Sequence, residues 1–268
     1  MRIFLLMQRG SPHGNFIGHA LARRGVPLCG VVLVEGPPIW TNLRRTWRAD
    51  GLRGVARAGM RRLMPRGRRE RGEGCRAVDA LREDALAYYN EGDVGVVRGD
   101  QVNGPRTIAA LRAARPDLLL LGGCGILGPE LLAIPRIGTL NAHPGWLPDY
   151  RGVDVVAWCL HDGEIPGATV HWVDAGVDAG DIILRRRLPD GAFDSLAAAR
   201  RAVTQLAAEL MAEAVQLVIG GTAPRLAQSA ASRPAFRLMS SRTRHAVEAA
   251  LRKHSKIRVV NAPLATAP

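Results

Sequence analysis

Two rhythms of apolar residues alternate along this chain. Residues 2–7, 29–34 and 118–121 are short apolar runs closed by glycine, proline or charge, which suits strands buried on both faces. Between the first two, Gly10 and Gly14 mark a turn and residues 16–24 are compatible with a helix. Strand, glycine turn, helix and strand make a βαβ unit, whose crossover predicts a parallel sheet. Beyond it the pattern predicts a short strand at 94–97, a helix over 107–114, another over 155–161 and a long amphipathic helix over 195–218. Residues 169–173 and 182–184 read as two strands joined by a loop containing Gly176 and Gly180.

The fold class is α/β: a Rossmann-like, mostly parallel twisted sheet with flanking helices, a helical insertion over 37–89 and a helical C-terminal tail. Residues 1–190 are predicted to form the catalytic unit, with 191–268 as a helix and basic tail packed on it. The insertion holds a helical pattern at Ala77, Val78, Leu81, Ala85 and Leu86, and it follows a run of twelve arginines between Arg44 and Arg76.

That run raises the net charge to +13. Nucleic acid, a solvated helix face, codon bias or a pocket for a phosphorylated substrate each explain it. Apart from Trp47 the segment lacks interleaved aromatics, so single-strand stacking is unsupported and nucleic acid is disfavoured as a partner. Four cysteines, at 29, 75, 124 and 159, show no paired spacing, so neither a zinc site nor a disulfide frame is suggested. Cys124 reads as a small buried residue rather than a nucleophile. No apolar run reaches membrane-spanning length, and the N-terminal one stops at Met7, too short for a signal h-region. The expectation is a cytoplasmic protein with no membrane partner.

Chemistry concentrates between Leu140 and Asp181. A buried strand through Ile137 and Thr139 breaks at Pro144, Gly145, Pro148 and Gly152. Asn141 and His143 are two residues apart on extended backbone and share a face. An amide can donate to a developing oxyanion, and an imidazole can move a proton. The missing carboxylate is Asp178, near the tip of the glycine-containing loop. Asp174 and Asp181 flank that loop as turn residues, and His171 reads as a partly buried, satisfied histidine within its strand.

The ordered set Asn141-x-His143-Pro144, Leu147-Pro148, Tyr150-Arg151-Gly152, Gly167-x-Thr169-Val170-His171 and Val177-Asp178-Ala179-Gly180 with Ile182-Ile183 resembles the core of the formyltransferases that use 10-formyltetrahydrofolate. Glycinamide ribonucleotide, methionyl-tRNA and amino-sugar formyltransferases share that core. The resemblance implies Asn141, His143 and Asp178 as the catalytic trio. It implies a cosubstrate site at Gly122, Gly125, Ile126 and Leu127, with Asp174 and Val177 from the later loop, where amides of Ile126 and Leu127 read the pterin edge. It assigns Asn15, Tyr150 and Arg151 to the acceptor; Asn15 reads equally as a helix cap. One departure is visible: many members carry Ser-Leu-Leu-Pro where this chain has Gly145-Trp146-Leu147-Pro148.

The implied activity is transfer of the formyl group of 10-formyltetrahydrofolate to a primary amine of a small molecule, with an amino sugar or other biosynthetic amine as acceptor. No metal is required, and a homodimer is compatible with this reading. A methionyl-tRNA formyltransferase would show a β-rich C-terminal domain, whereas the residues after Pro189 look helical. A formyltetrahydrofolate hydrolase would place a regulatory domain before the first strand. The glycinamide ribonucleotide enzyme fits the insertion less well. Outside enzymes, an anion- or nucleic-acid-binding protein on the same sheet is the competing class.

Overall fold

The computed structural model describes residues 1–36, 39–63, 95–189, 193–230 and 233–254. Seven strands form one sheet: β1 (Ile3–Gln8), β2 (Gly30–Val34), β3 (Gly95–Arg98), β4 (Leu118–Gly122), β5 (Gly138–His143), β6 (Gly167–Trp172) and β7 (Ile182–Arg187). Their order is β3-β2-β1-β4-β5-β6-β7. The first five strands in that order are parallel, and β6 and β7 are antiparallel additions. Helices α1 (Pro12–Arg23), α2 (Ile39–Leu63), α3 (Pro105–Ala114), α4 (Pro129–Leu132), α5 (Val155–His161), α6 (Leu196–Ile219) and α7 (Ser241–His254) surround it.

The unbroken apolar runs are explained by burial of both sheet faces. Ile3, Leu5 and Met7 of β1 join Leu118 and Leu120 of β4 in one cluster with α1 and α6. Their sequence neighbours Phe4, Leu6, Leu119 and Leu121 point to the opposite face, where Leu111 of α3 and Leu131 of α4 cover them. Period-two alternation is present, but both halves are apolar. Helix α6 packs its stripe of Ala199, Val203, Ala207, Met211 and Ala214 into the first cluster. It is long and apolar enough to cross a membrane, yet this buried stripe makes it a core helix of the sheet.

Three differences from the sequence-based expectations have physical causes. Helix α1 begins at Pro12, not at Phe16: proline suits the first helical position because its missing N–H would be unpaired there anyway. Ser11, not Asn15, is the cap, accepting from the Gly14 amide at 3.4 Å. The described residues between α6 and α7 are not helical, Leu226 pairing with Ile182 and Phe236 with Gly152 in isolated β-bridges. The helical pattern of residues 77–86 and the arginines beyond Leu63 lie outside the described residues. Within the insertion, α2 bends at Gly51, whose φ of 61° lies in the left-handed region. Asp50, just before the bend, accepts from the Ser241 amide at 2.6 Å and so anchors the start of α7.

Candidate active site

Strand β1 leads through α1 to one side of the sheet, and β4 leads through its glycine loop to the other. The strand order reverses between them, and that is where α/β sheets open a crevice at their carboxyl ends. The first helical turn of α1 and Gly123 close together there: a side chain at Gly123 would stand 3.0 Å from Ser11 Oγ and 3.8 Å from His13 Cβ. The end of β5 lies next to β4 in the sheet.

At that end the predicted trio converges. Asn141 and His143 share the face of β5, and Asp178 reaches back from the loop between β6 and β7. Asp178 Oδ1 lies 3.5 Å from Asn141 Nδ2 and 3.5 Å from His143 Nδ1. A fourth side chain joins them. His171 sits directly opposite Asn141 in the antiparallel β5–β6 ladder, with its Nε2 3.2 Å from Asn141 Nδ2 and 3.7 Å from Asp178 Oδ1. Asp178 Oδ1 is therefore the common point of the cluster. Its other oxygen accepts the Gly152 amide at 2.9 Å, which fixes the carboxylate plane.

The partners settle the tautomers. His171 Nδ1 is 2.8 Å from the Trp172 carbonyl, so it carries the proton and Nε2 is the lone pair that receives Asn141. Burial, reinforced by the nearby His143 charge, lowers the His171 pKa, with Asp178 opposing. His143 Nε2 lies 2.7 Å from the Tyr150 carbonyl and must donate to it. Its Nδ1 then faces Asp178 Oδ1.

The departure at Gly145 has a steric basis. A Cβ there would stand 2.5 Å from the Tyr150 carbonyl oxygen and 2.7 Å from His143 Nε2. Gly145 therefore leaves room for the hydrogen bond that orients His143.

Residues 88–215 match the family described as Formyl transferase. This stretch belongs to that family. The chain is 35% identical over 137 residues to the methionyl-tRNA formyltransferase of Geobacter sulfurreducens, a match that takes in 50% of this chain and 43% of that enzyme. The chain thus spans about half the length of the curated relatives it matches. Among solved structures, glycinamide ribonucleotide transformylase 1 from Symbiobacterium toebii aligns with a TM-score of 0.55 at 22% identity, covering 82% of this chain and 89% of that one. The N-formyltransferase from Helicobacter canadensis, solved with folinic acid and dTDP-3-aminofucose, aligns at 0.55 with 14% identity, covering 91% and 72%. Identities this low speak for the fold alone.

Around this cluster the other predicted residues fall into two groups. Gly122 ends β4, and a side chain there would meet Met7 and the Gly14 backbone. Gly125 takes a φ of 103°, open only to glycine. Ile126 is 68% exposed, while Leu127 turns into the core beside Cys124. Among the described residues neither the Ile126 nor the Leu127 amide has a partner. Asp174 accepts the Gly176 amide at 2.9 Å and shapes the loop; Val177 is exposed at its tip. Cys124 is buried, with its thiol pushed up to about 12 by desolvation.

On the acceptor side the side chains are not all turned inward. Tyr150 is buried, stacks on Phe236 and donates its hydroxyl to Asp162 at 3.1 Å, so only its carbonyl serves the site. Asn15 is buried within α1. Arg151 is half-buried, and its Nε has no partner among the described residues.

Two further residues belong to the site's surroundings. His13, half-buried at the start of α1, has its pKa lowered to about 4 by burial, with the His143 charge adding and the Ala142 carbonyl opposing. Asn103 clips the glycine loop, donating to the Ile126 carbonyl at 3.0 Å and accepting the Gly128 amide at 2.7 Å. Neither is marked in the sequence: Pro12 makes His13 look like a loop residue, and Asn103 lies remote from every motif.

Proposed function

We propose that this protein is an N-formyltransferase that moves the formyl group of 10-formyltetrahydrofolate onto a primary amine of a small acceptor, an amino sugar. The observation that carries the reading is the meeting of Asn141, His143 and His171 on one oxygen of Asp178, beside a glycine loop. The amine nitrogen attacks the formyl carbon, the carbonyl oxygen becomes negative, and the nitrogen sheds a proton.

Asn141 has two N–H groups. One is held by His171 Nε2; the other makes the longer contact to Asp178 and is the one that turns to the oxyanion. A donor in that role contributes about 10² to 10³ in rate. The proton lost from the amine nitrogen passes to the His143–Asp178 pair; as the bond between the formyl carbon and N10 of the cosubstrate breaks, the pair returns a proton to N10, and tetrahydrofolate leaves. Gly122, Gly125 and the unpartnered amides of Ile126 and Leu127 suit a flat, hydrogen-bonding heterocycle. Asp174 and Val177, on the loop that carries Asp178, are assigned to the same cosubstrate.

The amino-sugar choice is supported by the dTDP-3-aminofucose in complex with the Helicobacter canadensis N-formyltransferase and by structures of sugar N-formyltransferases of similar fold. Methionyl-tRNA is the second reading, favoured by the names of the relatives in sequence. The test is purified protein with 10-formyltetrahydrofolate and three acceptors: nucleotide-linked amino sugars, glycinamide ribonucleotide and methionyl-tRNA. Mass spectrometry should find a formyl group gained by an amino sugar. Formylation of methionyl-tRNA alone would reassign the acceptor, and release of tetrahydrofolate with no formylated amine would make the protein a hydrolase.

A further inference from the structure

The segment that leaves α6 touches both loops that carry the chemistry. Leu226 exchanges backbone hydrogen bonds with Ile182 at 2.8 and 3.0 Å. Two residues on, Gln228 directs its amide nitrogen at the Asp178 carbonyl, 3.0 Å away, and at the Gly180 carbonyl, 2.7 Å away. Further along, Phe236 donates to the Arg151 carbonyl at 2.8 Å and accepts from Val153 at 3.0 Å. Those two bonds bracket Gly152, whose amide holds the Asp178 carboxylate. The whole segment follows the stretch that matches the family, which ends at residue 215.

We propose that Gln228 is a positioning residue: its amide group clamps the backbone of the 174–181 loop so that Asp178 Oδ1 stays within reach of Asn141 and His143. The role in turnover rests on the formyltransferase reading above, while the clamp itself stands on the hydrogen bonds.

Asp178 needs such a hold. Its φ of 51° is left-handed, a conformation that a non-glycine residue keeps only when its surroundings impose it. Within the loop the local restraints are few. The Trp172 amide meets the Asp181 carbonyl at the base, and Asp174 caps Gly176. Neither touches Asp178. Gln228 meets the carbonyls on both sides of Ala179, which fixes the peptide planes flanking the bend. The Gln228 amide is also locked in orientation, since a flip would set Oε1 against two carbonyl oxygens. That oxygen is buried and has no partner among the described residues. A side chain kept only to fill space would avoid an unpaired buried acceptor; what the position gains lies at the donor end.

The experiment compares the wild-type chain with Gln228→Leu, which keeps bulk and removes the donors, and Gln228→Glu, which keeps shape and regains one donor on protonation. Turnover, cosubstrate KM and hydrogen–deuterium exchange of the peptide covering 174–181 are read together. The Leu variant should lose about tenfold to a hundredfold in kcat, as expected for a misplaced catalytic group, with KM within about twofold and faster exchange confined to this loop. The Glu variant should match it at neutral pH and, compared with the wild type at the same pH, recover protection as the pH falls toward about 4.3, the ordinary glutamate value. Unchanged kcat in the Leu variant overturns the proposal, whether or not exchange changes. Should the wild-type protein formylate no amine, the functional reading falls, and exchange alone decides the clamp. Protection lost in Leu and regained in protonated Glu upholds it; protection kept in both overturns it.

Discussion

Strands β4 and β5 lie side by side, parallel and in register, with Leu121 beside Asn141, yet they finish in opposite ways. β4 is four leucines and a glycine, all buried, and continues into Gly123 and Gly125. It reaches the crevice with side chains removed, so that backbone is what it presents. β5 runs through Thr139 and Leu140 and then places Asn141 and His143 on one face. It reaches the same crevice with polar side chains added. One strand end makes room and offers amides; its neighbour concentrates groups that handle protons. On the proposed function, binding and chemistry are divided between adjacent strands, and substitutions in the two should fail differently.

The largest effect is expected on the β5 side. Asp178→Asn replaces the carboxylate on which Asn141, His143 and His171 meet and, on the proposed mechanism, a proton acceptor. Formyl transfer should fall at least about 10² to 10³-fold in kcat, in line with loss of one preorganised electrostatic group. Cosubstrate binding, followed by fluorescence or calorimetry, should persist. If binding is lost along with turnover, the division between the two strands is wrong.

The next effect is on the β4 side and appears in stability. Gly122→Ala would bring a methyl group 2.7 Å from Met7 Cβ and 2.8 Å from Gly14 Cα. The second neighbour is helix backbone and cannot rotate away. Overpacking of this kind costs about 1–3 kcal/mol, measurable by urea unfolding. A variant of full stability and no turnover would instead place Gly122 in the chemistry.

How much of this arrangement the sequence reveals follows from what each piece depends on. The leucines of β4 and the runs of β1 and β2 are local patterns, and burial on both faces leaves them unambiguous. Asn141, His143 and Asp178 are legible because they sit in an ordered set of motifs. His171 sits in the same set, but its contact with Asn141 is not legible: it depends on the register of an antiparallel pair, and a one-residue slip would turn it to the other face. The Tyr150 side chain faces away because Phe236, far along the chain, stacks on it. Gln228 lies in a segment without periodicity, whose bridges to Ile182 and Gly152 exist only after the sheet has formed.

A third expectation concerns pH and the histidines that gather where the two strand ends meet. Burial holds His13 near 4 and lowers His171, both below the unfolded value of about 6.5. Between about 6.5 and 4 the unfolded chain binds a proton at His13 that the folded chain refuses, and His171 acts in the same direction. The stability kept by neutral His13 is complete above that window and is lost as pH falls through it, by up to about 1.4 kcal/mol per pH unit. His13→Asn removes one contribution, so unfolding free energies at neutral and at acidic pH should differ less in the variant. A dependence as steep as in the wild type would show that His13 is protonated in the folded protein.

The smallest effect is at the rim of the glycine loop, and it tests whether that loop binds at all. Ile126 is the most exposed large apolar side chain of the crevice, while its carbonyl is pinned by Asn103. Truncation to alanine removes little packing from the free protein, so stability should stay within about 0.5 kcal/mol. If a flat ring lies against the loop in the complex, the lost apolar contact weakens substrate and transition state alike. The cosubstrate KM should then rise several-fold, about 1 kcal/mol, with kcat unchanged. A fall in kcat at constant KM would mean that Ile126 acts on the reacting centre, and the separation of binding on β4 from chemistry on β5 would not hold.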